Sequence, residues 1–382
     1  MKRICFVTTI SLTFKAFLLD VSKYLYENGN YEITMICDKD EELIKQLPEY
    51  IRYIPIKMKR GIDFSCIKSI YKLYTIFKKE KFDIVQYSTP NAALYSSIAA
   101  FLARTKIRLY CQMGVRYVGF KGIKRKIFKL IEKIVCSLST YIEPVSLGNL
   151  EFGYKEKLYN EKKSSVIWNG SSSGVNLEKF NVKNKLQWRK AIREKYKIDE
   201  ECFVFGFVGR IDKDKGFNEL LEAFKKLLEE YENINLMIVG NNDKMDKIDK
   251  ELYEWSIKDR NVIYCGITKE VEKHLAAMDA FVLPSYREGF ASVVIEAEAM
   301  GIPVIVTNIP GPTDAMIKDK TGIIVEKANI ESLFKGMKKM IENDEMRLEM
   351  SKEAILLASE KFESKQLFEY ILKDRDALLQ RN

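Results

Sequence analysis

The feature that most constrains this 382-residue chain is an alternation of short β-branched or aromatic runs with amphipathic helical runs, broken once and then resumed. Strands are expected at 4–8, 31–37, 52–56, 84–87, 107–112, 142–145 and 165–168, with helices between them such as 16–27, 64–79, 92–102 and 124–138. The pattern breaks at "WNGSSSGVNLEKF", Trp168 to Phe180, a Gly/Ser/Asn-rich stretch that reads as a linker. It restarts with strands at 204–208, 236–239, 262–265, 280–283, 304–306 and 322–325, and closes on a strandless helical stretch of 55 residues. Strand–helix alternation builds a mostly parallel sheet with helices on both faces. The expectation is therefore two doubly wound, Rossmann-like α/β domains, over 1–170 and 171–360. Such sheets bind ligands at the carboxyl ends of their strands, so two of them facing each other would share one cleft.

With 47% hydrophobic and 31% charged residues the chain buries a real core and is not a disordered polymer. Its seven cysteines (5, 37, 66, 111, 136, 202 and 265) are scattered, with no C-x-x-C pair, and read as reduced thiols of a cytoplasmic protein. The N-terminal "MKRICFVTTISLTFKAFLL" is interrupted by Lys15 and has no small-residue cleavage site, so it reads as strand, loop and helix rather than a signal peptide. No apolar run reaches the roughly 18 residues of a membrane span. Charge is uneven: residues 1–170 hold 29 Lys/Arg against 16 Asp/Glu, the remainder 34 against 38. A basic first half calls for an anionic partner or reflects a lysine-rich composition. No nucleic-acid module accompanies it, so nucleic acid is not expected as a partner.

Two stretches carry chemistry. In "FVFGFVGRIDKDKGFNELLEAF" an apolar strand ends at Gly209 and Arg210, and Lys215 stands just before a helix. A guanidinium fork and an ammonium there suit a diphosphate, although an isolated R-x4-K is usually two solvated loop residues. In "PSYREGFASVVIEAEAMGIPV" a strand leads through a loop with Glu288 and Gly289 into a helix expected from about Ala291 to Met300. The unpaired amides of its first turn, together with the dipole, make an anion seat. A carboxylate at Glu288 also has a plain dipole explanation. Glu296, between Ile295 and Ala297, needs a polar partner, and ribose hydroxyls would serve; Glu298 reads as an ordinary surface glutamate.

Together "VGRIDKDKG" and "PSYREGFASVVIEAEAMGIPVIVT" resemble glycosyltransferase family 4, the retaining enzymes of GT-B fold, across essentially the whole chain. The resemblance implies two Rossmann-like domains facing across a cleft, with C-terminal helices crossing back; residues 361–382 would return to the first domain. It assigns donor-sugar hydroxyls to Glu288, ribose to Glu296, and diphosphate to the amides of Phe290, Ala291 and Ser292. Arg210 and Lys215 would neutralise the leaving group, and Thr268 in "GITKE" would lie near the nucleobase. The acceptor would fall to the first domain, with Thr9, Ser11 and Lys15 in a loop near the reacting centre and Arg116 as a contact to acceptor phosphate. The stretch 112–146 resembles the capsule, O-antigen and lipid-linked oligosaccharide subgroup, whose acceptor is often a sugar on undecaprenyl diphosphate.

Two departures stand out. The histidine often found after the fifth strand is missing from "CQMGVRY", and Asn176 stands in "GVNLEKF" where aspartate is common. His274, the single histidine, reads as a core or surface residue. Mechanism then rests on the diphosphate itself, which takes the acceptor proton on the face of attack while the protein positions both substrates and stabilises charge. No cofactor and no metal are expected: the D-x-D triplets at 38/40, 212/214 and 374/376 read as caps or surface residues. Residues 121–133, "KGIKRKIFKLIEK", carry six basic residues and one acid and read as a helix for an anionic membrane, or as an ordinary helix with a solvated lysine face. Peripheral attachment to the inner face of the cell membrane is the corresponding expectation. Rival readings are a sugar-nucleotide 2-epimerase, which needs no acceptor, a glycoside hydrolase using Glu288 and Glu296 as a carboxylate pair, and a basic nucleic-acid-binding protein.

Overall fold

The computed structural model describes residues 1–58, 65–241 and 247–381; residue 64, the expected start of one helix, lies outside them. The chain divides into two compact units, Met1–Ser173 with Lys365–Asn382, and Gly174–Ser364.

In the first unit β1 (Lys2–Val7), β2 (Tyr31–Cys37), β3 (Ile51–Pro55), β4 (Ile84–Tyr87), β5 (Ile107–Gln112) and β6 (Tyr141–Pro144) form one sheet. Their order is β3-β2-β1-β4-β5-β6 and every pair is parallel. Parallel strands covered on both faces are near-continuous apolar runs, and β4 is buried at all four positions, Gln86 included. One face packs Leu73, Phe77, Tyr95 and Val135 from the helices Ser65–Glu80, Pro90–Leu102 and Gly122–Leu138. The other packs Phe14, Val21 and Leu25 together with Leu367, Phe368, Ile371 and Leu378 of the C-terminal helix Ser364–Gln380. That helix is locked by Arg375, whose guanidinium meets both oxygens of Glu143 at 2.5 and 2.7 Å, all of it buried.

Two local expectations are corrected. Residues 165–168 are not a strand. The segment touches the edge strand β6 in a single bridge, Ile142 to Ser164, and then turns away through Trp168, which is left-handed at φ 50°. Trp168 stacks instead on Tyr370 of the C-terminal helix, 5.5 Å between ring centroids. The stretch after β1 is not an open loop either, because Ser11–Phe17 is already helical and buries Phe14.

The second unit repeats the plan with β7 (Phe203–Val208), β8 (Ile234–Val239), β9 (Val262–Gly266), β10 (Ala280–Leu283), β11 (Val304–Thr307) and β12 (Gly322–Val325). The order β12-β11-β10-β7-β8-β9 places β7 beside β10, where the winding reverses. Arg193 pins the helix Lys185–Tyr196 to this sheet: fully buried, it donates to Asp279, to the carbonyl of Ala277 and to those of Asp199, Glu200 and Cys202.

Candidate functional site

A doubly wound sheet binds ligands outside the carboxyl ends of the two strands at its reversal point. In the second unit those strands are β7 and β10, and the two chemistry-bearing stretches leave from them. After β7 the chain passes Gly209 and Arg210, makes the short turn Lys213–Lys215 and enters the helix Phe217–Leu227. Gly216 between them sits at φ +68°, and a Cβ there would lie 2.0 Å from the Pro284 carbonyl oxygen. Glycine thus lets this loop lie directly on the start of the loop after β10.

Polar contacts complete the union. The Tyr286 amide donates to the Asp214 carbonyl at 2.8 Å, and Arg287 donates to the Asp214 carboxylate at 2.5 and 3.1 Å. Lys215 Nζ meets Glu288 Oε1 at 2.5 Å, and Ser285 Oγ donates to the same oxygen at 2.7 Å. Gly311, at φ +101°, brings the loop after β11 against Gly289; a Cβ there would stand 2.7 Å from the Gly289 oxygen. Motifs some 70 residues apart in sequence are one cluster in space. Arg210 remains half exposed, 3.3 Å from Asp212.

The helix after this loop is Ser292–Ala299, one residue shorter at its start than expected. Ala291 is its N-cap, in the left-handed region at φ 69°, and offers no side-chain acceptor. The amides of Ser292 and Val293 therefore have no partner within the helix or its cap. The Phe290 ring is buried edge-on to Phe362, 5.4 Å between centroids, so only its backbone can serve a ligand. Glu296 is half-buried. Burial pushes its carboxyl up to about 7, with Lys179 opposing and Glu272 reinforcing the rise. Glu298 corrects the expectation of a surface glutamate: it is fully buried, and neither oxygen finds a hydrogen-bond partner. Thr268 lies just beyond β9, where its hydroxyl accepts from the Glu270 amide at 3.0 Å. His274 is a core residue, 2% exposed, with Nδ1 2.9 Å from the Glu270 carbonyl.

The reversal point of the first unit is β1/β4. Thr9 is buried there, its hydroxyl 2.6 Å from that of Thr89 and 3.3 Å from the Ala92 amide, so it ties β1 to the helix Pro90–Leu102. Ser11 and Lys15 both turn to Asp40, at 2.5 and 3.8 Å. Arg116, after β5, lies over the Phe128 ring at 4.7 Å and donates to Asn91 at 3.4 Å.

The carboxylates of the D-x-D triplets have partners of other kinds. Asp40, Asp212 and Asp38 accept backbone amides, Asp214 holds Arg287, Asp374 holds Arg375, and Asp376 holds Lys2 and Tyr31. Among the described residues no three His, Cys, Asp or Glu are grouped to share an ion. Sequence reasoning missed Lys179 and Glu272, whose ammonium and carboxylate stand 3.8 Å apart and whose charges act on Glu296 in opposite senses. The only signal for Lys179 was "GVNLEKF", read as linker and for its Asn176, while Glu272 stood unremarked in "KEVEKHLAAM".

Comparison with known proteins agrees with this geometry. Residues 189–356 match the family model of glycosyl transferases group 1, and residues 3–144 that of glycosyl transferase 4-like proteins. The chain is 34% identical over 342 residues to the capsular polysaccharide biosynthesis glycosyltransferase CapM of Staphylococcus aureus, covering 89% of this chain and 88% of that one. It is 28% identical over 338 residues to the UDP-Gal:alpha-D-GlcNAc-diphosphoundecaprenol alpha-1,3-galactosyltransferase of Escherichia coli, covering 86% and 84%. In fold it matches HepE of Anabaena, crystallised with UDP, at a TM-score of 0.79 and 16% identity over 99% of this chain and all of that one. A glycosyltransferase of Rickettsia africae matches at 0.82 and 20% identity, over 100% and 99%. The chain belongs to the group 1 glycosyltransferases, in glycosyltransferase family 4, and its fold is GT-B.

Proposed function

We propose that this glycosyltransferase moves a sugar, with retention at the anomeric carbon, from a UDP-sugar to a saccharide on undecaprenyl diphosphate during surface-polysaccharide synthesis. The observation that carries the reading is the single cluster at the β7/β10 reversal: Lys215 on Glu288, Arg210 on the same loop after β7, a helix start whose first amides have no partner within the helix or its cap, and Glu296 further along that helix. Glu288 accepts from sugar hydroxyls, the amides and the two cations hold the diphosphate, and Glu296 accepts from ribose. As the bond from the anomeric carbon to the diphosphate breaks, the acceptor oxygen bonds that carbon on the same face. Its proton passes to the departing phosphate oxygen. The protein contributes position and charge stabilisation, and needs no metal ion. The UDP seen with HepE and the undecaprenyl-linked substrate in the name of the E. coli relative support donor and acceptor class. On the first unit Ser11, Lys15 and Arg116 are the acceptor-side residues, while Thr9 acts through packing.

Lys215→Ala and Arg210→Ala should each lower turnover about 10²–10³-fold, the cost of removing one charge-stabilising donor, while the melting temperature holds. Full turnover in both variants, or loss of activity in EDTA, would overturn the mechanism. A panel of UDP- and GDP-sugars against lipid-diphosphate acceptors identifies the sugar.

No helix among the described residues is long and apolar enough to cross a membrane. The helix Gly122–Leu138 supplies another route to a lipid-linked acceptor. Ile123, Ile127, Leu130 and Ile134 point to solvent, while Glu132, Val135 and Cys136 face the core. Lys121, Lys124, Lys126 and Lys133 are exposed around that apolar stripe. A solvent-facing apolar stripe ringed by lysine fits the headgroup region of an anionic membrane, so the enzyme works peripherally on the cytoplasmic leaflet.

A further inference from the structure

The carboxylate of Glu288 is held at one oxygen only. Oε1 takes both the Lys215 ammonium, at 2.5 Å, and the Ser285 hydroxyl, at 2.7 Å, while no donor among the described residues reaches Oε2, which stays accessible. A carboxylate accepts about four hydrogen bonds, two at each oxygen, so Oε1 is filled by protein and Oε2 keeps its full capacity. Ser285 is fully buried, two residues beyond β10, and its carbonyl accepts from the Thr307 hydroxyl at 2.5 Å. Thr307, the last residue of β11, is buried as well. The backbone ladder between β10 and β11 reaches Leu283 and Val306, and the threonine hydroxyl carries the link past its end. Gly311 bounds Glu288 from another element, because a Cβ there would stand 3.3 Å from the Glu288 Cβ.

We infer that Ser285 and Thr307 are positioning residues that fix the Glu288 carboxylate with Oε2 offered to a hydroxyl of the donor sugar, an inference resting on the donor-site reading above. The last torsion of a glutamate is soft, so a carboxylate left to itself presents either oxygen over a wide range of angles. Two donors on one oxygen remove that freedom. Lysine alone does not, because its ammonium is a point charge on a flexible stem and can sit between both oxygens. On the donor-site reading Lys215 also serves the diphosphate, which leaves the Ser285 hydroxyl as the donor given to Glu288 alone. Thr307 fixes where that hydroxyl starts from, by holding the Ser285 backbone. A carboxylate paired with an ammonium accepts and does not donate. The site therefore selects a sugar that carries a hydroxyl at that point over its deoxy counterpart, which would leave Oε2 unpaired.

The test is calorimetric binding of UDP and of UDP-glucose, UDP-galactose, UDP-N-acetylglucosamine and UDP-N-acetylgalactosamine. The readout is the affinity for the tightest-binding of these sugars relative to that for UDP. Ser285→Ala should lower this ratio about tenfold, the weight of one hydrogen bond to a charged group, with UDP itself bound as by wild type. Thr307→Val, which keeps the shape and loses the hydroxyl, should lower it in the same sense, and Thr307→Ser should keep the wild-type value. In a chain that already carries Glu288→Ala, Ser285→Ala should cost nothing further, because a positioning residue acts only through the group it positions. Unchanged ratios in Ser285→Ala and Thr307→Val overturn the inference. So does an equal loss of UDP and UDP-sugar, or a Ser285→Ala effect that adds in full to that of Glu288→Ala. Glu288→Ala separates the two levels: a wild-type ratio in that variant overturns the reading of Glu288 as the sugar's residue, whereas a lowered ratio there with wild-type ratios in Ser285→Ala and Thr307→Val overturns the positioning role alone.

Discussion

Glu298 carries the sharpest residue-level consequence. Burial pushes its carboxyl well up, opposed by the Thr321 hydroxyl alone. The folded protein therefore keeps a proton that the unfolded chain releases above roughly pH 4.3. Where the native state binds more protons, stability falls as pH rises. Glu298→Met, of similar volume, should add about 1–4 kcal/mol at pH 8 and less at pH 5. Melting curves at the two pH values check this, at about 2–4 °C per kcal/mol for a domain of this size; destabilisation at both would contradict it. Ala291 offers a second case. A left-handed non-glycine costs about 1–2 kcal/mol, so Ala291→Gly should raise the midpoint of chemical denaturation while leaving UDP affinity unchanged. Neither residue was legible in the sequence. Glu298 reads as surface because charged residues usually are, and φ is not visible from an alanine in "GFAS".

At the scale of elements, the C-terminal helix depends on one buried ion pair. Arg375→Ala strands Glu143 in the core and should cost about 3–5 kcal/mol, with Arg375→Met/Glu143→Leu recovering most of it. Urea unfolding of the three proteins decides; equal losses in the single and double variants would assign the helix's hold to its apolar face instead. The helix Gly122–Leu138 makes the other element-level claim. Ile127→Glu/Leu130→Glu should abolish sedimentation with vesicles containing anionic lipid while sparing the fold, because both side chains face solvent. Unchanged sedimentation would leave this helix without a membrane role. The sequence showed its amphipathic period but not which way the isoleucines point: the inward face is built from Glu132, Val135 and Cys136, with Glu132 bonded to Tyr110 and Gln112.

Across the molecule, the double alternation of strand and helix was readable because parallel strands buried on both faces must be apolar runs, and twelve of thirteen expected strands are present. The thirteenth failed where Trp168 found a partner 202 residues away, Tyr370, a contact no local pattern contains. The cluster at the β7/β10 reversal was half legible. The residues stood out by type and by place at strand ends, but Lys215 and Glu288, expected to meet different parts of the donor, pair with each other. Lys179 escaped because a Gly/Ser-rich approach hides an ordered turn. The central claim, retaining transfer in which the diphosphate takes the proton, is tested most directly by the anomeric configuration of the product. An α-configured UDP-sugar incubated with a saccharide on undecaprenyl diphosphate should give an acceptor-dependent α-glycoside by NMR. A β-linked product, or free sugar or an epimer formed without acceptor, would contradict it.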